Sequence, residues 1–578
     1  MPKPAGMFRI FCLGGSTTVG FPYGYIGSFS TFLRDRLKAT FPEKSIEIIN
    51  LGMTATNSFT VLDMAQELIK YQPDMFIVYD GHNEFYGALG IASNEALGST
   101  RLFTLLSLKL IHFKSFLLLR DVIEAITGAF AESQAEDFGG TMMERLARGQ
   151  FVTYDSPMYN KALQIFRDNL SDLVSICRAH AIPLLLGSQV SNLRTQRPFE
   201  SDISLLDSPE KRLAFNSAMN KGISYRLNGQ FDSALTEFRR AVEYDSLHAE
   251  AQYQTARMLD TLGLKNTSRE KYVKARDYDN LRFRASSDFN EAIRDVSDDS
   301  MVIFVDVEGA FAANSPDSIP GSELILEHLH PNVRGYFLIA KAYANAMREH
   351  EFIAFPQVWF VHRVSDEQLW QDRTITDLDE LVGERRVEYL VSGWPFIPTH
   401  KALRVISSDD TLRNIAERVA TSRLMWEQAH LEAAQYFETL GDIAKAEKQY
   451  LSIINQIPFN VSPYLSLAQL YLRKGRNSQA RSILLASLDV EKTPYACKAL
   501  GAIAVDMGKL HEAIEFLRQA LALSQSTHDR SENGYLLALA FNRAGERVNA
   551  IEQLKNVLSI DPNYQPALQS LRFIQSQK

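Results

Sequence analysis

The most informative stretch of this chain is Phe8-Arg-Ile-Phe-Cys-Leu-Gly-Gly-Ser16. Its apolar residues predict a buried β-strand, and Gly14 and Gly15 permit a sharp turn where that strand ends. Ser16 then lies between the carboxyl end of a strand and the start of a helix, the edge at which open α/β sheets bind ligands. Free N–H groups in such a turn favour an oxyanion, so Ser16 is a candidate nucleophile. A phosphate-cradling loop and a plain turn are the alternatives.

Two further apolar runs end in a similar way. The run Ser45-Ile-Glu-Ile-Ile-Asn-Leu-Gly52 predicts a strand ending at a glycine, which either lets a ligand approach the backbone or simply ends the strand. The run Met75-Phe-Ile-Val-Tyr-Asp-Gly-His-Asn83 predicts a strand followed by a polar turn. Asn83 either offers its side-chain amide to the same oxyanion or forms an Asx-turn.

A fourth segment, Glu327-His-Leu-His330-Pro, supplies a candidate base. A carboxylate three residues before a histidine can reach the imidazole and fix its tautomer, as a general base requires. Alternatively, His330 is a surface histidine whose hydrogen bonds are satisfied and which has no catalytic role. His328 is a rival base.

Together the four segments resemble the SGNH (GDSL-type) hydrolase superfamily, over roughly residues 8–90 and 300–345. The resemblance implies a serine esterase whose sheet is a three-layer, flavodoxin-like α/β structure. The residues it implies are Ser16 as nucleophile, His330 as base, Glu327 as orienting acid, and the Ser16 N–H, the Gly52 N–H and the Asn83 side chain as oxyanion donors.

The chain departs from the family pattern at two positions. The usual Gly-Asp-Ser is Gly14-Gly15-Ser16 here, and the usual aspartate is Glu327, which is one methylene longer. We expect the glutamate still to accept a hydrogen bond from the imidazole, with an altered geometry.

Composition excludes several function classes. A chain of 578 residues predicts several domains, and 46% hydrophobic with 22% charged residues is typical of a globular protein. A net charge of −8 disfavours a nucleic-acid binder. Cys12, Cys177 and Cys497 are scattered, with neither metal-ligand spacing nor a disulfide framework, so we expect no cofactor and no metal.

The segment of residues 101–120 is mostly apolar, and on a helix most of its basic residues would fall within one narrow arc of the surface. Its lysines make it a poor transmembrane span. It predicts either a helical cap over the sheet edge or an interfacial helix that contacts a membrane or an acyl chain. Because no signal peptide precedes the first strand, we expect a cytoplasmic protein; a true start upstream of Met1 would favour a membrane-associated or periplasmic one.

Glycines repeat through the carboxyl-terminal part of the chain. They are spaced by 33 to 37 residues, each followed five residues later by an alanine; the glycines are Gly441, Gly475, Gly508 and Gly545. The small residue lets two antiparallel helices approach closely. This pattern resembles tetratricopeptide (TPR) repeats, which form an all-α solenoid that binds protein partners.

A shorter array around Gly229 and Gly263 has the same pattern and interrupts the predicted hydrolase as an inserted helical pair. Asn192 and residues 194–199 follow a further strand and either bind an acidic or sugar substrate or form a surface loop. The predicted domains are 1–212 and 282–350 for the hydrolase, 213–281 for the insertion, 351–420 for a connector and 421–578 for the solenoid.

The first functional hypothesis is a serine esterase acting on carboxylic esters, with an O-acylated saccharide as one substrate class and a protein partner on the repeats. An O-acyltransferase would use the same residues. The competing hypothesis is a non-enzymatic TPR scaffold that carries a decayed hydrolase fold. The sequence leaves the acyl group, the alcohol and the protein partner open.

Overall fold

The computed structural model describes residues 2–93, 100–110, 142–202, 206, 208–362, 364–398, 401, 406–407 and 410–576. The chain forms two compact units. The first contains residues 1–375 and 379–405, and the second contains residues 376–378 and 406–578.

The first unit is built on a six-stranded sheet with the order β2-β1-β3-β4-β6-β5. Five strands are parallel, and the short β5 pairs antiparallel with β6 at one edge. The strands are β1 Phe8–Gly14, β2 Ile46–Asn50, β3 Met75–Tyr79, β4 Leu184–Gly187, β5 Asp298–Asp299 and β6 Val302–Val305. The predicted α/β class with a parallel sheet is therefore confirmed.

Both faces of the sheet are covered, which explains why its central strands β1, β3, β4 and β6 are mostly apolar. In β1, Ile10 and Cys12 pack into one core with the helices Phe29–Thr40 and Val333–Glu349. Phe11 and Leu13 point to the opposite core. That second core contains side chains of the helices Ser58–Leu68, Pro157–Ala179 and Ser287–Val296.

The remaining helices of the first unit lie between and after the strands. They are Ser16–Val19, Arg101–Leu110, Met142–Ala147, Pro209–Leu227, Phe231–Tyr244, Ala249–Thr261, Lys265–Asp277, Val307–Ala313, Asp366–Gln371 and Asp377–Val391, the last beginning in the second unit. Short 3-10 turns occur at Tyr25–Gly27, Ile69–Tyr71, Pro316–Ser318 and Val358–Phe360.

The second unit is helical. Its helices are Thr411–Ala420, Trp426–Leu440, Ile443–Gln456, Ser462–Arg473, Asn477–Val490, Pro494–Asp506, Leu510–Leu523, Thr527–Arg543, Arg547–Ile560 and Gln565–Ser576. Those from 426 to 560 form four consecutive antiparallel pairs, as the repeat pattern predicts.

The repeated glycines and alanines have the roles expected of them. The glycine between paired helices has φ between +68° and +80° in every repeat, the left-handed conformation that ends a helix. The small residue five positions later is fully buried, which permits close helix contact; these residues are Ala234, Ser268, Ala446, Ala480, Ala513 and Ala550. The insertion contains two helix pairs, from Pro209 to Asp277, where the sequence predicted one, because each of Gly229 and Gly263 separates a pair of its own.

The predicted cap or interfacial helix is described only in part. Arg101–Leu110 is helical, and Arg101 donates to Asn169 and pairs with Asp172 on the helix Pro157–Ala179. The rest of that segment, residues 111–120, lies outside the described residues. Within the described ranges, no helix is both long and apolar enough to cross a membrane.

Candidate active site

The turn after β1 holds Ser16 at the carboxyl edge of the sheet. Gly14 has φ +145°, and a Cβ there would lie 2.1 Å from the Tyr79 carbonyl oxygen of β3. Only glycine fits this position, because the backbone conformation and the close neighbour both exclude a side chain. Ser16 lies two residues later, as the first residue of the helix Ser16–Val19, and is half-buried.

The strand register brings the three predicted segments together. β1 lies between β2 and β3, with Cys12 opposite Asn50 and Gly14 opposite Tyr79. Because the strands are parallel, the residues that follow them meet at one edge. A Cβ on Gly15 would lie 2.9 Å from the Asn83 side-chain nitrogen, so that amide lies against the nucleophile turn.

Ser16, His330 and Glu327 form a continuous hydrogen-bonded chain. Ser16 Oγ lies 2.7 Å from His330 Nε2, although the two residues are 314 positions apart in sequence. The other ring nitrogen, His330 Nδ1, is hydrogen-bonded to Glu327 Oε1. A carboxylate on Nδ1 places the proton there and leaves Nε2 free to accept the Ser16 proton.

Burial governs the electrostatics of this chain of residues. Burial lowers the pKa of His330 to about 3, so the ring is neutral at physiological pH. The same burial weakens the ring as a base, so the imidazolium formed when it accepts a proton depends on Glu327 for stabilisation. Phe21 covers the imidazole on one side, with ring centroids 4.6 Å apart. The Glu327 side chain is 1% exposed, so hydrogen bonds within the protein, rather than water, satisfy its oxygens.

The two backbone oxyanion candidates differ in their surroundings. The Ser16 N–H has no partner among the described residues. The Gly52 N–H donates to Asn50 Oδ1 at 2.8 Å, so it must leave Asn50 before it can bind a substrate oxygen. A Cβ on Gly52 would lie 2.4 Å from the Val19 nitrogen, which gives this glycine a packing role as well.

The Asn83 carboxamide is a better-placed donor. Within the described part of the chain its side chain makes no hydrogen bond, and Asn83 is half-buried beside Gly15. The Asn83 carbonyl accepts the Gly87 N–H at 2.7 Å, which fixes the turn that carries it. The amide hydrogens are therefore available next to Ser16.

The sequence reasoning missed Asn50, which supports the site. Its side-chain nitrogen donates to the Thr18 carbonyl at 2.6 Å and to Ser30 Oγ at 2.8 Å. It thereby ties the end of β2 to the helix that begins with Ser16. A polar residue ending an apolar strand is the only sequence signal that marks it.

A buried acidic pair beside Asn83 was also missed. Glu84 accepts hydrogen bonds from the Ser58 N–H at 2.8 Å and the Ser58 hydroxyl at 2.7 Å. Asp80 lies within hydrogen-bond range of Glu84, and burial together with the Glu84 charge raises the pKa of Asp80 well above its usual range. Burial also raises the pKa of Glu84, so the pair holds a proton in the folded protein.

Asn192 supports the main chain of the site. Its side chain donates to the Glu327 carbonyl at 2.8 Å, and its own N–H donates to the His328 carbonyl at 2.9 Å. Arg194 pairs with Asp260 of the insertion at 3.2 Å. Residues 194–199 thus form hydrogen bonds and ion pairs with other parts of this protein.

Glu327, His328 and His330 are the described residues whose donor atoms lie close enough together to share a cation. Each histidine Nδ1 is instead hydrogen-bonded directly to one Glu327 oxygen. We therefore interpret the cluster as a carboxylate bound by two imidazoles.

Two solved structures resemble the chain as a whole only weakly. A G-D-S-L family protein from Desulfitobacterium hafniense is 10% identical, with 58% of this chain and 98% of that chain covered and a TM-score of 0.26. LAE5, an alpha/beta hydrolase enzyme from the Lake Arreo metagenome, is 13% identical over 59% of this chain and 94% of its own, also with a TM-score of 0.26. Such scores support no argument about fold or function.

Family models, unlike the solved structures, identify the helical repeats. The MamA protein is 25% identical over 26% of this chain and 80% of its own, with a TM-score of 0.24, which again carries no argument. A comparison with curated proteins finds no match. Models of the tetratricopeptide repeat match residues 219–279 and residues 496–531. Both helical arrays of this chain therefore contain tetratricopeptide repeats.

Proposed function

We propose that this protein is a serine hydrolase of the SGNH type that cleaves carboxylic esters. The observation that carries the proposal is the 2.7 Å contact between Ser16 Oγ and His330 Nε2, with Glu327 on the other ring nitrogen. Ser16 from the start of the chain and the Glu327–His330 pair from a segment 314 positions away converge in the order that nucleophilic catalysis requires.

The reaction follows from the roles of these groups. Ser16 Oγ attacks the ester carbonyl carbon while its proton moves to His330 Nε2. The imidazolium that forms is stabilised by the Glu327 carboxylate. The oxyanion is bound by the Ser16 N–H and the Asn83 amide, with the Gly52 N–H joining after it leaves Asn50. The bond to the alcohol then breaks, the alcohol takes the proton from His330, and water releases the acyl group by the same steps.

We propose that the sheet and the two helical arrays have different functions. Residues 1–212 and 282–350 carry the chemistry, while residues 213–281 and 421–578 bind a protein partner through their stacked helix pairs. Within this proposal the substrate is an ester-bearing small molecule or an O-acylated saccharide.

The test compares Ser16→Ala with the wild-type chain on p-nitrophenyl acetate. We expect Ser16→Ala to abolish turnover and leave the urea midpoint unchanged, because it removes one hydroxyl that the fold does not need. Ser171→Ala, which removes an exposed serine from the helix Pro157–Ala179, is the matched control and should be fully active. Undiminished turnover by Ser16→Ala, or no turnover by the folded wild type, would favour the scaffold hypothesis.

A further inference from the structure

The Glu327 carboxylate is bound by two imidazoles. Oε1 accepts the Nδ1–H of His330, and Oε2 accepts the Nδ1–H of His328. The sequence alone makes His328 a rival to His330 as the base. Its Nδ1 faces the same carboxylate as His330, so it is placed to act on Glu327 rather than on Ser16.

The backbone completes this carboxylate site. Glu327 Oε1 accepts the His330 N–H at 3.0 Å, and Oε2 accepts the N–H of His328 and, at 3.3 Å, that of Leu329. The side chain therefore turns back over its own main chain. Hydrogen bonds to a carboxylate are stronger than neutral ones and fix its direction. Each oxygen is thereby committed to one histidine.

The His328 ring is held in place by aromatic neighbours. It is 2% exposed, and its edge contacts lie at ring-centroid distances of 5.4 Å to Phe199, 5.5 Å to Phe396 and 6.1 Å to Phe283. A ring fixed in this way cannot turn its Nδ1 away from Glu327 without disturbing the packing.

The charged and titratable groups around His328 keep it neutral. Burial comes first, and His330, Arg284 and His82 act with it to lower the pKa of His328 well below its usual range. Arg284 is itself paired with Asp279 at 2.9 Å. A neutral imidazole adds a hydrogen bond to Glu327 without cancelling the negative charge that His330 needs.

We infer that His328 is a positioning residue: its Nδ1–H fixes the Glu327 carboxylate so that the other oxygen orients His330 toward Ser16. The inference rests on the proposed esterase function. The four residues then act as a nucleophile, a base, an orienting acid and a second histidine that orients the acid.

The experiment measures pH profiles of kcat/KM for ester hydrolysis by full-length variants. His328→Phe keeps a ring and removes the donor, so kcat falls about tenfold while KM changes little. The acid limb moves to higher pH, because a carboxylate with one donor fewer attracts the His330 imidazolium more strongly and raises the pKa of that ring. His328→Asn restores a donor near the Nδ1 position and recovers part of both effects.

A double-mutant cycle with Glu327→Asp provides the second measurement. We expect the shorter carboxylate to reach only one of the two rings, so that His328→Phe has a smaller effect in the Glu327→Asp background than alone. If His328→Phe does not fold, His328→Met, whose flexible side chain fills the same space, takes its place.

Wild-type kcat and an unmoved acid limb in His328→Phe would overturn the inference, as would equal effects in both backgrounds. Those results leave the esterase proposal intact, because the wild type is still active and Ser16→Ala is not. A folded wild type without turnover overturns both proposals together.

Discussion

Substituting Gly15 by alanine separates catalysis from folding. The backbone of Gly15 has φ −82°, which alanine adopts without strain, so the free energy of unfolding should change by less than about 1 kcal/mol. The added Cβ, however, would lie 2.9 Å from the Asn83 side-chain nitrogen, and ordinary contacts begin at 3.4 Å. The amide must therefore retreat by about half an ångström.

That retreat weakens an oxyanion donor without removing it. Deleting such a donor lowers kcat by about 10²- to 10³-fold. A displaced amide should therefore lower kcat by about 10- to 100-fold, with KM nearly unchanged. The assay is p-nitrophenyl acetate hydrolysis beside urea denaturation of the same preparation. Asn83→Ala, measured in parallel, should lose at least as much activity.

Gly14→Ala is the contrasting variant. Its Cβ would meet the Tyr79 carbonyl at 2.1 Å with φ +145°, so we expect a loss of at least about 3 kcal/mol in unfolding free energy. If Gly15→Ala keeps wild-type kcat while Asn83→Ala does not, the argument from close approach is wrong. If both keep it, Asn83 is not an oxyanion donor.

Three further results are expected. Glu327→Gln should lower kcat by about 10³-fold because an amide does not stabilise the imidazolium, while Glu327→Asp retains more activity; equal kcat in the two would remove Glu327 from its orienting role. The proton held by Asp80 and Glu84 is released on unfolding, so the free energy of unfolding should fall as pH rises above the usual carboxyl range. Urea titrations at pH 5 and pH 8 measure this fall, and Glu84→Gln should make the difference between the two pH values smaller. Removing residues 421–578 should leave ester turnover within about twofold of the wild type and abolish partner capture, since the proposed chemistry uses none of these residues. A truncated protein that is folded by circular dichroism but inactive would contradict this.

Local signals made much of the fold predictable. β1, β2 and β3 are short apolar runs that end near glycine, and the TPR helices are marked by glycines at a period near 34 residues. The Glu327-x-x-His330 spacing likewise predicted a contact that the backbone makes almost unavoidable. Such features need no information from distant parts of the chain.

The supporting contacts of the site were not predictable, because they join residues far apart in sequence. Asn50 reaches Thr18 and Ser30, and Glu84 reaches Ser58, through tertiary packing alone. The helix of the connector was not predictable for a different reason. In its helix Asp377–Val391, apolar and charged residues do not separate onto two faces, so the sequence lacks the helical pattern.

Locating a covalent adduct tests most directly whether Ser16 is the nucleophile. The folded, full-length protein is treated with a fluorophosphonate at neutral pH, digested, and analysed by peptide mass spectrometry. We predict one phosphonyl group on the peptide that contains Ser16, formed with release of fluoride. We expect its loss in His330→Ala, because the hydroxyl is no longer activated. An adduct on another serine, or an unlabelled Ser16 in the folded wild type, would contradict it.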